Sequence, residues 1–497
     1  MDRASGSMYG AHSGEIPNER RSPAISYAVA AVLSIVAGFA FAWASKAGIK
    51  PVIAFFVGIF MLLVLSLFLN RLKSFLIFAL IVSIPLQVTF HLIHDPLPIE
   101  TTPFMAGVPV DMVDVILALL YGHWLSTVAW TKKAAPLRIG HPFGTLLLLW
   151  LGVSLLTSYF AAHAFRYSLY ELVHLGKGFL LYLYLVNNTS TEKELRLIVF
   201  ALFAGMSAHA LYASFQYATG WNYTLHGETT KWIGPEGFRS IGFFGSPDAA
   251  AVLMTFVLPL AVAYYFVVRE DSLRLWVLFG IISAIPGQLA TKVRAAWLAT
   301  FIAISTFVFV SYFRGRISSM GLIKTILAGI LVLALAGPFI YVRFKGGTYG
   351  EDRVPLVWTA INMIHDRWVL GVGLNNYFFN IEQYVPITFR HQWAYTVHNE
   401  YLLRVAEGGI FGFLLYYTLC LALIIKLWKI TKSSSPLLYA VSLGLFSAMI
   451  GSIPHRVFSF YHYSNVYNQF MVVLAIAILA ERLYRAGLAR DSSSGSP

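Results

Sequence analysis

From about residue 24 the chain alternates apolar runs of roughly twenty residues with short polar or basic interruptions. That is the length a helix needs to cross a bilayer, about 20 residues. The runs fall at about 26–45, 51–69, 74–92, 111–130, 143–161, 170–187, 195–218, 248–268, 273–290, 295–313 and 322–342. Further runs follow at about 409–427, 436–453 and 466–484. The pattern predicts an all-α, polytopic membrane bundle of about 14 spans. One interruption is much longer than the others, because residues 343–407 contain no apolar run able to span. A long polar insertion in an apolar chain is either functional or disordered. Its wealth of Trp, Tyr and Phe, with little Ser, Gln or Glu, argues for a folded one. The expected layout is a disordered tail (1–23), spans one to eleven (24–342) with an exterior loop (219–247), the large loop (343–407), three further spans (408–486) and a second tail (487–497).

Composition agrees with this layout and narrows it. Of 497 residues, 58% are hydrophobic and 12% charged, with a mean hydropathy of +0.68. Soluble domains carry about 25% charged residues. The net charge of +13 therefore points to cytoplasmic loops facing anionic lipid, and no nucleic-acid partner is implied. A single cysteine, Cys420, excludes a disulfide framework and a Cys-ligated zinc site. The polar stretch ahead of the first full-length run gives no sign of a cleavable signal peptide. With the N-terminus inside, Arg71/Lys73, Lys132/Lys133, Lys193/Arg196, Arg269/Arg274, Arg314/Arg316 and Lys429/Lys432 all fall in the cytoplasm. Residues 219–247, 343–407 and 454–465 then face the opposite side, the periplasm of a Gram-negative cell. Lys292 and Arg294 break the rule by sitting on the outer face, which suits either an anion ligand or a mis-split helix pair. Lys177 lies within a span and is a functional candidate or the partner of a carboxylate on a neighbouring helix.

The outward loops collect Arg239, Lys292, Arg294, Arg353 and His398, with Asp248 and Glu400 nearby. His391 and His398 have no acidic partner at a ligand spacing, which argues against a metal. Guanidinium groups grip phosphate oxygens in bidentate fashion and keep their charge. Histidine can take a proton from a hydroxyl near neutral pH. Together they suit a pocket for an anionic, lipid-linked ligand. Trp221, Tyr223, Trp232, Phe243, Phe244, Tyr377, Phe378 and Trp393 fit either sugar stacking or an interfacial aromatic belt.

Four motifs, in order, resemble the O-antigen ligase and polymerase superfamily. They are Arg239-Ser-Ile-Gly-Phe-Phe-Gly-Ser-Pro-Asp248, then Thr291-Lys-Val-Arg294-Ala-Ala-Trp297, then Arg353 with Leu370-Gly-Val-Gly-Leu-Asn-Asn-Tyr377, and finally His398-Asn-Glu-Tyr-Leu leading to Glu407-Gly-Gly. Ser246-Pro247-Asp248 stands where the family pattern has Asn-Pro-Asn. The resemblance implies a metal-independent, inverting glycosyltransferase that uses no cofactor. Such an enzyme moves a glycan from undecaprenyl pyrophosphate to an acceptor hydroxyl at the outer face of the inner membrane. By motif, His398 would be the general base, and Arg239, Arg353 and Arg294 would bind the pyrophosphate. Lys292, Lys177, Asn399 and Asp248 are possible accessory residues. The acceptor could be lipid A core, another lipid-linked glycan or a protein. A flippase is the rival from another class, and it would carry its key charges near mid-membrane.

Overall fold

The computed structural model describes residues 72–86, 89–95, 106–132, 136–221, 233–234, 237–269, 273–345, 353–386, 396–459 and 464–494. The tail 1–23 and the apolar runs at 26–45 and 51–69 lie outside them, as do Tyr223, Trp232, His391 and Trp393. The helices are α1 (Leu72–Ser83), α2 (Met112–Thr131), α3 (Phe143–Ala161), α4 (Phe165–Asn188), α5 (Glu192–Thr219), α6 (Pro247–Val267) and α7 (Arg274–Ala290). They continue with α8 (Arg294–Phe313), α9 (Ser319–Lys345), α10 (Val354–Arg367), α11 (Tyr377–Tyr384), α12 (Glu400–Ile430), α13 (Pro436–Phe458) and α14 (Ser464–Ser494). Two antiparallel hairpins, β1–β2 (Thr89–His94 with Gly107–Asp111) and β3–β4 (Ile233–Gly234 with Gly237–Phe238), are the strands among the described residues.

The fold is all-α, and eight described helices (α2 to α6, α8, α12 and α13) are long and apolar enough to cross a membrane. Local signals set their ends. Asp111 and Asp114 form a capping box at the start of α2, and Thr191 and Glu194 form another at α5, each satisfying two orphan backbone donors. Gly220, in the left-handed conformation, ends α5.

Helices α6 and α13 are buried along most of their length, and Val466–Ala480 of α14 joins them at the centre. A helix apolar all round belongs inside a bundle. Small residues allow the close approach: a Cβ on Gly444 would meet the Leu260 backbone at 2.7 Å, and one on Gly451 would meet the Ala299 carbonyl at 2.3 Å. Lipid offers no hydrophobic drive between helices, so such packing must hold them together.

The structure corrects two sequence boundaries. The run at 74–92 is not one span: α1 ends at Ser83, Pro85 occupies the turn, and β1 follows. Proline has no backbone N–H for a helix to use. Helix α13 continues past Pro454 to Phe458, which takes in half of the loop expected at 454–465. Within α12, Gly409 is non-helical (φ 60), so a short helix at 400–408 precedes the apolar stretch that hydropathy placed from about 409.

Candidate functional site

Five chain segments meet at one end of the bundle. Arg239 follows strand β4, and its Nε donates to the Thr291 carbonyl at 3.1 Å, while Ser240 N donates to Ala290 O at 3.0 Å. This ties the segment to the α7–α8 turn. Arg294 is the first residue of α8 and Asp248 lies in the first turn of α6. The two helix starts pack through Ala251, Val293 and Ala296. Arg353 caps α10 and its Nη1 donates to Phe458 O, at the end of α13, at 3.2 Å. His398 precedes α12, whose Glu400 N donates to Ser459 O at 3.1 Å. The end of α13 is thus the common anchor.

Arg353 lies within electrostatic range of Asp248, Arg294 and Arg239. His398 lies within range of Arg353, Asp248 and Arg239. The sequence separates these groups widely, and the fold gathers them. The N-termini of α6, α8, α10 and α12 point to the same end and add partial positive charge. Desolvation lowers the pKa of Arg353; Asp248 opposes this, and Arg294 and Arg239 add to it. A guanidinium nonetheless stays charged at any working pH.

His398 is half-buried, and its Nδ1 is 3.1 Å from Thr396 O. A carbonyl can only accept, so Nδ1 carries the hydrogen and the neutral ring keeps its lone pair on Nε2. Burial pushes the His398 pKa below its ordinary 6.5. Arg353 lowers it further, Asp248 and the Thr396 carbonyl raise it, and Arg239 lowers it. Desolvation outweighs the neighbouring cations as the cause of the depression. The group is a neutral base near pH 7.

The support beneath His398 was only partly legible in the sequence. Arg404 is 3% exposed and Glu400 fully buried, and Arg404 Nε donates to Glu400 Oε1 at 2.8 Å. Arg404 also donates to the Tyr467 hydroxyl and lies over the rings of Tyr416 (4.7 Å), Trp150 and Tyr467. The i, i+4 spacing of Glu400 and Arg404 was visible; their burial was not. The face that anchors this turn is Leu403 and Ala406, both at 0% exposure, with Leu402 partly buried beside them.

The glycine motifs prove to be stitches. Val372 N donates to Ala406 O, Gly373 N to Glu407 O, and Ile410 N to Trp368 O, all within 3.0 Å. This seam needs Gly409 at φ +60, where α12 kinks, since a Cβ there would sit 2.1 Å from Val369 O. The following Asn pair docks the insertion on the α3–α4 corner. The Asn376 side chain accepts from Ala164 N at 2.8 Å and donates to Ser168 Oγ at 2.8 Å, and Asn375 donates to Tyr167 O.

The other sequence candidates make contacts of their own. Lys177 donates to Asp114 and to Pro109 O, linking α4 to α2 and the β1–β2 hairpin. Lys292, with φ 54, is 8% exposed, and its Nζ lies 5.3 Å from the Tyr217 ring. Asn399 is the cap of α12, its side chain accepting from Leu402 N at 3.1 Å. Phe243 stacks on Tyr212 at 4.4 Å, Phe244 and Tyr377 are buried, and Phe378 packs against the insertion's core, whereas Trp221 is exposed. The α7–α8 turn at 291–293 separates two distinct helices, so Arg294 does not result from a mis-split pair. Among the described residues no three His, Cys, Asp or Glu side chains form a group that could hold a metal ion.

The kink, the stitch, Arg294, Arg353 and His398 all fall within one stretch of the chain. Residues 277–417 match the O-antigen ligase family model. The match opens in α7 and closes just past the middle of α12, leaving Arg239 and Asp248 ahead of it. No curated protein matches the chain. Over this stretch the chain is similar to O-antigen ligases, and it lies among helices long and apolar enough to cross a membrane.

Proposed function

We propose that the protein is an O-antigen ligase-like glycosyltransferase of the bacterial inner membrane, working at the periplasmic face. It would transfer a glycan from undecaprenyl pyrophosphate to an acceptor hydroxyl, with lipid A core as the leading acceptor. The observation that carries this reading is the meeting of Arg239, Arg294 and Arg353 with a half-buried, neutral His398 at one end of the bundle. Charges gathered at helix ends suit an enzyme working on a surface-held lipid better than a transporter, whose site would lie near mid-membrane.

The chemistry follows from these groups. Arg239, Arg294 and Arg353 hold the diphosphate oxygens and stabilise the charge that develops as the bond from the anomeric carbon to the diphosphate oxygen breaks. The acceptor oxygen attacks the anomeric carbon from the opposite side, and its proton passes to His398 Nε2. The products are the glycosylated acceptor, with inverted anomeric configuration, and undecaprenyl pyrophosphate. The mechanism we propose needs no metal, because the guanidinium groups carry the electrostatic load.

The test is purified full-length protein incubated with a lipid-pyrophosphate glycan and each acceptor class in turn. Transfer to lipid A core with release of undecaprenyl pyrophosphate is expected. Transfer only to a second lipid-linked glycan, or only to protein, would assign a different acceptor, and no transfer to any would overturn the reading.

A further inference from the structure

The last turns of α5 touch both of the turns that carry Arg239 and Arg294. Gln216 is fully buried there and pairs with one residue of the 239–246 segment through both ends of its amide. Its Oε1 accepts from Gly242 N at 2.8 Å, and its Nε2 donates to Gly242 O at 3.3 Å. Two turns earlier on the same face of α5, His209 Nδ1 accepts from Phe243 N at 3.4 Å. Gly242, at φ +57, lies flush on that ring, since a Cβ there would stand 2.2 Å from His209 Cε1. The far side of the segment is held by the α7–α8 turn, where Ser240 N donates to Ala290 O at 3.0 Å and Arg239 Nε to Thr291 O at 3.1 Å. Tyr217, beside Gln216, reaches that turn too, with Lys292 Nζ 5.3 Å from its ring.

We infer that Gln216 is a positioning residue for the diphosphate site: by fixing Gly242 it sets where Arg239 stands relative to Arg294. This rests on the anion-binding reading given above. A buried backbone N–H and C=O must both find partners, and within a helix or sheet other backbone supplies them. Here one side chain from α5 supplies both, three residues from Arg239. A side-chain amide suits the task because it carries an acceptor and a donor in one plane and no charge. The segment is thereby gripped from two sides, by α5 and by the α7–α8 turn, and the guanidinium of Arg239 is placed by both. A displacement of about 1 Å in a group that positions substrate can cost on the order of 100-fold. Gln216 does not touch the diphosphate; it acts through Arg239.

The test uses full-length protein in nanodiscs and its affinity for inorganic pyrophosphate, which needs no turnover. Gln216→Met, similar in size but without donor or acceptor, should bind roughly tenfold more weakly, and Gln216→Asn, whose amide falls one methylene short, should lose affinity in the same direction. The Asn variant serves if the Met variant does not fold. Arg239→Ala should bind more weakly than either. Combining a Gln216 variant with Arg239→Ala should leave the affinity within about twofold of Arg239→Ala alone, because a residue that acts through Arg239 then has nothing to act on. Hydrogen exchange, read by mass spectrometry on the Gln216 variants, should quicken in the peptide covering 239–246 and stay native in α6 and α8. A merely structural role would carry its loss into the Arg239→Ala background and quicken exchange in those helices. Native affinity in the Gln216 variants, or losses that multiply in the double variant, overturns this inference alone. A native protein that binds no pyrophosphate overturns the anion-binding reading and this inference with it.

Discussion

At the scale of single residues the weight falls on His398 and the arginines around it. Thr396 O holds Nδ1, so Nε2 is the ring nitrogen that carries the lone pair and can take up a proton. Replacing His398 with Ala should lower glycan transfer by roughly two to four orders of magnitude while donor binding survives, because a general base contributes about that factor. Rate measured against pH tests the same group. Its pKa is depressed below 6.5, so the neutral form persists into mild acid and the acid limb should lie below 6.5. Stability has the matching sign: the unfolded chain takes up the proton first as pH falls past 6.5, so acidification costs stability as well as activity. Arg353→Lys should fail to restore transfer, since an ammonium cannot reproduce the planar fork that grips two phosphate oxygens. A lysine variant with native donor KM would count against the clamp. His398 and the arginines stood out in the sequence as residue types suited to phosphate and proton chemistry. Asp248 stood out beside them as a possible accessory residue, without a defined role.

At the scale of elements, the turn at Leu370–Asn376 and the kink at Gly409 form one unit. Gly371, at φ +71, packs so closely that a Cβ would meet Glu407 O at 2.4 Å. Gly409→Ala must distort the seam or move the two strands of backbone apart. It should lower the melting temperature of the detergent-solubilised protein and release the insertion that carries Arg353. A cost of about 1–3 kcal/mol is expected for a non-glycine residue held there. The buried Glu400–Arg404 pair makes a second prediction. Arg404→Met alone leaves a carboxylate buried without its partner and should cost about 3–5 kcal/mol, whereas Glu400→Gln with Arg404→Met together should cost less. A double variant as unstable as the single, by thermal melting, would show that Arg404 matters through its aromatic cage rather than through the ion pair. This pair lies on the short helix ahead of Gly409, and its two charges gave no sign in the sequence that both would be buried.

At the scale of the whole molecule, the end opposite His398 carries a basic cluster of its own. Arg314 and Arg316 donate to carbonyls near Thr431 and Ser433 at the end opposite His398, where the loop also carries Lys429 and Lys432. Anionic lipid would draw that end to the cytoplasm. The native chain has a single, buried cysteine, so introduced thiols can report topology. Gln383→Cys, exposed on α11, should react with a membrane-impermeant maleimide in intact spheroplasts, and Ser434→Cys should react only after lysis. The reverse pattern would invert the bundle.

Hydropathy alone was enough to predict an all-α architecture with helices long and apolar enough to cross a bilayer, because a bilayer imposes one length and one polarity on any helix that crosses it. Residue chemistry alone was enough to nominate Arg239, Arg294, Arg353 and His398, because few side chains bind phosphate or exchange a proton at neutral pH. What these signals could not convey is which polar groups would become neighbours. The approach of Asp248 to His398, the burial of Arg404 under three aromatic rings and the docking of Asn376 on Ala164 and Ser168 each join segments far apart in the chain. Such pairings depend on how the helices pack, and that is set by close fits such as Gly444 on Leu260 and Gly451 on Ala299. Local pattern records which face of a helix is apolar and which residues bound it. Only the packed bundle decides what each face meets.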